Sequence, residues 1–252
     1  MTIRFAAAVC FSVFLFSSCS SSSQDWSSPA AISDVKVKQS LVPSKNDLAS
    51  FESFRRIASG DFKYDVLVGF TSDNSLSVTP SSCLAVERYL LTDDFWITSQ
   101  EDATDNMGPG YSGRYTVNGE QQLDLHMSIF EDKNAKEQFL LDEIKQDLKN
   151  CSTVAIDASN KNGDYKWTTT FNFSSTTNVD LRVDMETEYD LNGKRYKTSK
   201  FKFIRQVGRN LISVAVAHTV EKSIALKPLS PQEEKDALAL LQLFSNNLLA
   251  KK

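Results

Sequence analysis

Three stretches of alternation limit what this chain can fold into. From Gln122 to Phe130, Leu123, Leu125, Met127 and Ile129 fall on one side and Asp124, His126 and Ser128 on the other. Further on, Tyr165, Trp167, Thr169, Phe171 and Phe173 share one face, and Val179, Leu181, Val183 and Met185 share one face of the next segment. Successive side chains of a strand point to opposite sides, so a period of two predicts half-buried strands at these positions. The dipeptide Asn192-Gly193 tolerates positive φ and predicts a hairpin after Leu191. Phe201 and Phe203 mark the returning strand, Gly208-Arg209-Asn210 turns it, and Leu211 to Val220 has the small and branched residues of a central buried strand. Tyr64 to Val68, Phe95 to Ile97 and Thr153 to Asp157 read as shorter strands. Val35 to Leu41 is marginally strand-like and is stopped by Pro43.

Helical spacing appears elsewhere. Leu48, Phe51, Phe54, Ile57 and Ala58 form a stripe after Asp47, with Gly60 as its stop. Cys83 to Leu91 predicts a second, short helix. Ala135, Phe139, Leu140, Ile144 and Leu148 recur at three and four behind Asp132, which predicts a helix that delivers Cys151. Ser230-Pro231-Gln232-Glu233 combines a capping box with proline at the first helical position, ahead of the stripe Ala237, Leu240, Leu241, Phe244 and Leu248. Hairpins with helices at separate points predict an α+β fold: one domain with a largely antiparallel sheet of about six strands and helices packed mainly on one face.

The amino terminus reads as an export signal. One positive charge, Arg4, precedes a largely apolar run from Phe5 to Phe16 that is too short for a permanent membrane span. Leu15-Phe16-Ser17-Ser18-Cys19 then places two small serines before a cysteine, the pattern cut by a lipoprotein signal peptidase. The expected organisation is a lipoprotein signal peptide over 1–18, a Ser-rich tether over 19–40 and a folded domain over 41–252. Acyl chains (palmitate) on Cys19 would anchor it to the extracytoplasmic face of the cell membrane. The bland alternative is an ordinary secretory signal with a coincidental cysteine.

Charge narrows the partners. The chain carries 28 Lys+Arg against 32 Asp+Glu, and loss of the leader with Arg4 leaves 27 against 32, a net charge of −5. This mild acidity argues against nucleic acid. Of four cysteines, Cys10 lies in the leader and Cys19 at the anchor, leaving Cys83 and Cys151 as the pair within the domain. In an oxidising envelope a disulfide is favoured over two buried thiols or a metal pair. With His126 and His218 as the two histidines, no close-spaced zinc set exists.

The motifs of catalysis are missing. No Gly-x-Ser-x-Gly elbow and no Gly-rich phosphate cradle occurs, and Gly108-Pro109-Gly110 lacks the spacing for one. His126 and His218 sit on strands and read as surface residues. Asp93, Asp94, Glu101, Asp102 and Asp105 lack the ligand spacing of a calcium loop, and Asp102 to Gly113 reads as an exposed loop. Core packing explains the row Tyr165, Trp167, Phe171 and Phe173; a cleft wall for an apolar or sugar ligand is its functional alternative, which would leave the row partly exposed. The expectation is therefore no enzyme, no metal and no cofactor.

The order of elements resembles a known family. The leader, the Ser-rich tether, Cys83-Leu84-Ala85-Val86, the alternating strand, the helix ending at Cys151, the run Arg205-Gln206-Val207-Gly208-Arg209-Asn210-Leu211-Ile212-Ser213-Val214 and the terminal helix are similar to the PknH-type extracellular sensor domain. That domain occurs on actinobacterial Ser/Thr kinases and, without a kinase, in actinobacterial lipoproteins. The resemblance implies a disulfide joining Cys83 to Cys151 and a cleft for an extracellular ligand, for which Trp167, Phe171 and Tyr165 are the candidate contacts. It departs from the family in lacking a second cysteine pair. The functional expectation is a sensor-like, ligand-binding envelope lipoprotein, with a structural or assembly partner of another envelope protein as the alternative and an envelope hydrolase as a distant third.

Overall fold

The structure is a computed structural model that describes residues 34–59, 65–67, 75–83, 111–117, 119, 121–131, 140–160, 163–176, 179–191 and 193–251. The expected leader, Cys19, the expected tether up to residue 33, Phe95 to Ile97 and the acidic positions from Asp93 to Asp105 lie outside the described residues. So do Leu84 to Leu91 and the first part of the helix expected after Asp132.

Among the described residues, nine strands form one antiparallel sheet. They are β1 (Asp65–Leu67), β2 (Ser75–Thr79), β3 (Tyr111–Val117), β4 (Gln122–Glu131), β5 (Thr153–Asn160), β6 (Gly163–Thr176), β7 (Val179–Leu191), β8 (Lys194–Val207) and β9 (Asn210–Glu221). Their order is β1-β3-β4-β9-β8-β7-β6-β5-β2. The stretch from β5 to β9 is a plain meander, because each turn is short enough to place the next strand beside the last. Gly193 at φ +80° and Gly208 at φ +58° supply the left-handed backbone that the β7–β8 and β8–β9 turns require. The sheet is thus larger than the six strands expected. β2 is an addition, too short a run for the alternation of Ser75-Leu76-Ser77-Val78-Thr79 to stand out, and β3 begins inside the stretch expected to be a loop.

The helices are α1 (Val35–Leu41), α2 (Lys45–Leu48), α3 (Arg55–Ser59), α4 (Leu140–Leu148) and α5 (Pro231–Leu249), with a single 3-10 turn at Ser81–Cys83. Val35 to Leu41 is helical where a marginal strand was expected. Asp34 caps it by accepting from the Val37 N–H at 3.0 Å, and Leu41 is buried in the core beside α5. The single helix expected around Leu48 to Gly60 is instead α2 and α3, separated by turns; Leu48, Phe54 and Ile57 still point into one core. The α5 start is as expected: the Glu233 N–H donates to Ser230 Oγ and the Ser230 N–H donates to Glu233 Oε2.

Residues paired in antiparallel register share a face, so the pairings sort the core in two. On the front face, Leu125, Met127 and Ile129 of β4, Val216, Val214 and Ile212 of β9, and Phe201 and Phe203 of β8 meet α5 and the short amino-terminal helices. On the back face, Val154, Ile156, Trp167, Phe171, Leu181, Val183 and Met185 meet Leu141 and Leu148 of α4 and the Cys83–Cys151 disulfide. Among the described residues, four of the five helices therefore sit on the front face and α4 alone covers the back. Each apolar side chain so buried contributes about 1.5 to 3 kcal/mol. A second consequence concerns the polar side of β4: Asp124, His126 and Ser128 are buried along with Leu125 and Met127, so this strand is fully rather than half buried. Among the described residues, no helix is long and apolar enough to cross a membrane.

Candidate functional site

Opposite the α4 core, the front face of β5 and β6 and of the second half of β7, from Glu186 on, carries no helix among the described residues and is polar. The cross-strand rows explain its content. Asp157, Lys166, Asp190 and Arg195 form one row; Ala155, Thr168, Glu188 and Lys197 form the next; Thr170, Glu186 and Ser199 form the third. Two adjoining depressions lie on these rows. The first, of about 390 Å³, lies over the Asp157 and Thr168 rows. The second, of about 920 Å³, lies between Thr168, Thr170, Glu186 and Lys197 and the wall Lys222 to Leu226. They share Thr168, Glu188 and Lys222 and so make one continuous trough.

Ion pairs organise its floor. Lys166 Nζ is 3.1 Å from Asp157 Oδ1 and Arg195 Nε is 3.8 Å from Asp190 Oδ2. Glu188 holds two cations, with Lys222 Nζ at 3.0 Å from Oε2 and Lys197 Nζ at 3.4 Å from Oε1. The Lys222 hydrogen bond, followed by that of Lys197, keeps the Glu188 carboxyl below the usual carboxylate range. Glu186 is different: Ser199 Oγ donates to its Oε1 at 2.6 Å. The wall is anchored by its backbone, with the Lys222 N–H donating to the Arg195 carbonyl at 2.8 Å and the Lys227 N–H to Gln121 Oε1 at 2.9 Å.

A third cavity, of about 420 Å³, lies behind the same wall and contains His218 and Glu233. His218 Nε2 is 2.8 Å from Glu233 Oε1, and Nδ1 is 3.3 Å from the Lys227 carbonyl oxygen. Both acceptors call for ring N–H donors, which is the doubly protonated ring. Burial lowers the His218 pKa, but the hydrogen bond and charge of Glu233, the Lys227 carbonyl and the charge of Asp124 outweigh it and leave it raised. Burial likewise raises Glu233, and the His218 hydrogen bond with the Ser230 N–H reverses this to leave it lowered. A serine does face this histidine: Ser199 is its direct cross-strand partner. Its hydroxyl, however, is turned to Glu186, and both imidazole nitrogens are engaged, so no free base stands beside a free hydroxyl here.

The residues singled out from sequence fall in several places. Cys83 and Cys151 are joined, 68 positions apart in the chain. Trp167 is 2 % and Phe171 3 % exposed, both packed in the back core, while Phe173 is 41 % exposed at its margin. Trp167 and Phe171 are thus core side chains, and the Tyr165 side chain and Cys19 lie outside the described residues. His126 and His218, expected at the surface, are both buried: the polar side of β4 faces inward, and His218 is covered by the Lys227 backbone and α5. Sequence reasoning passed over Thr168, Glu186, Glu188 and Lys197. They are ordinary outward positions on three strands, and nothing short of the strand pairing brings them together. Among the described residues, no three His, Cys, Asp or Glu side chains gather to hold a metal ion. No protein-family model matches the chain, and no curated protein matches it.

Proposed function

We propose that this chain is a lipid-anchored protein of the outer face of the cell membrane, non-catalytic, whose domain binds a small polar ligand in the trough over β6, β7 and β8. The trough carries the reading: two joined depressions floored by fixed ion pairs and hydroxyls, walled by Lys222 to Leu226. Concave sites with a few converging polar groups are where small molecules bind. The disulfide between Cys83 and Cys151 supports an oxidising compartment, and the leader ending at Cys19 supports export with acylation. The sensor-like role follows the resemblance to the PknH-type domain, with the ligand moved from the aromatic row to the polar rows on the opposite face of the same strands.

Two measurements test this reading. Mass spectrometry of the membrane fraction should find an acylated Cys19 at the new amino terminus; an intact leader in the cytosol would overturn the localisation. Thermal-shift screening of the full chain against sugars, anions, amino acids and polyamines should give at least one upshift. That upshift should vanish in Thr168→Trp, which fills the floor from an exposed position. An upshift that persists in this variant would place the ligand elsewhere.

A further inference from the structure

The floor of the larger depression is neutral in sum but not in layout. Glu186 and Glu188 are two apart on β7 and point to the same face, which sets them roughly 6.5 to 7 Å apart along the strand. Glu188 is shared by two ammonium groups, Lys197 and Lys222, so that end keeps an excess positive charge. Among the described residues, the Glu186 carboxylate has one side-chain partner, the uncharged Ser199 hydroxyl, so that end keeps its negative charge. Thr170, paired directly with Glu186, adds a hydroxyl to the negative end. Beside both ends the wall turns apolar at Ile224, Ala225 and Leu226, and Ile224 is 41 % exposed, one of three large apolar side chains left open among the described residues.

We propose that this depression binds a small zwitterion, an amino acid or dipeptide with an apolar side chain. Its ammonium group sits on Glu186, its carboxylate lies between Lys197 and Lys222, and its side chain rests on Ile224 and Leu226. The inference rests on the trough being the ligand site and adds the class of ligand. An ammonium group has three donors, and the Glu186 carboxylate with the hydroxyls of Thr170 and Ser199 offers three acceptors. A lone anion would meet Glu186 uncompensated and a lone cation would meet the two lysines, so a molecule with one charge satisfies half the site. Opposite ends of opposite sign also fix the direction in which the ligand lies.

Calorimetry on the full chain in detergent tests this with L-leucine and L-leucyl-glycine as probes. N-acetyl-leucine, which lacks the ammonium group, and leucinamide, which lacks the carboxylate, are the controls. Either zwitterion should bind, and both blocked forms should bind at least tenfold more weakly. Glu186→Gln should weaken the zwitterion at least tenfold while the melting temperature stays unchanged, since this side chain is exposed. Equal binding of the blocked forms, or an indifferent Glu186→Gln, overturns the zwitterion and leaves the trough standing. No heat with either zwitterion also overturns it, and a thermal shift by another class of molecule that Thr168→Trp abolishes then shows that the trough survives without it.

Discussion

His218 Nε2 lies 2.8 Å from Glu233 Oε1, and this contact ties the last third of β9 to the first turn of α5. Glu233 serves twice, because its other oxygen accepts from the Ser230 N–H at 2.6 Å and completes the helix cap. The same histidine reaches the Lys227 carbonyl, so one imidazole fixes both the helix and the wall that leads into it.

Stability should therefore depend on pH in a defined direction. The folded His218 pKa is raised, so its contribution is fully present below the unfolded value of about 6.5 and is lost as pH rises through the folded value. The folded Glu233 pKa is lowered, so its contribution is present above the unfolded value of about 4.3 and is lost as pH falls through the folded one. Urea midpoints measured from pH 5 to 9 should fall on the alkaline side. His218→Gln should cost about 2 kcal/mol at pH 6, the scale of a charge-assisted hydrogen bond, and should flatten that alkaline fall.

The disulfide closes a long loop, with its cysteines 68 positions apart. The chain-entropy model gives about 4 kcal/mol for such a loop. Cys83→Ala should lower the denaturant midpoint accordingly, and the unmutated chain should match the variant once it is unfolded under reducing conditions. Equal midpoints for the oxidised and reduced chain would contradict this.

Phe244 projects from α5 into the front core with no exposed surface, whereas Phe173 is 41 % exposed on β6. The cost of Phe244→Ala should be about 3 to 5 kcal/mol through lost burial and the cavity left behind. Phe173→Ala should stay within about 0.5 kcal/mol. Denaturation curves of the two variants, run side by side, read the contrast.

Arg182 joins the sheet to α5 by several of its atoms. It donates to Asp184 at 2.9 Å and to Glu234 at 2.6 Å, and its guanidinium lies 5.9 Å and 5.7 Å from the ring centres of Phe201 and Phe203. A lysine ammonium is a point charge that cannot span two carboxylates in a planar fork. Arg182→Lys should therefore lose about 1 kcal/mol despite keeping the charge, readable as a lower melting temperature.

The parts that sequence made legible are those whose signal is local. The capping box at Ser230 and Glu233, the turn at Gly193 and the alternation of β4 and β7 each reside in a few adjacent residues and appear as expected. The misreadings come from tertiary context. Val35 and Val37 favour a strand by propensity, but the Asp34 cap and the burial of Leu41 beside α5 make the segment a helix. His126 was placed on the correct side of β4, yet polar does not mean wet here, since Lys200, Lys202, Ser128 and Ser213 are buried on that side as well. The trough was hidden for a different reason: Thr170, Glu186 and Ser199 are far apart in sequence and meet only through register.

β8 presents Phe201 and Phe203 to one side of the sheet and Ile204 to the other, and each belongs to a different apolar cluster. The two clusters thus behave as separate compartments divided by a single layer of backbone. A side chain can be enlarged in one without forcing its neighbours in the other to rearrange, so the half that carries α5 and the half that carries the cross-linked cysteines are free to diversify independently, provided the ladder between β7 and β8 stays in step.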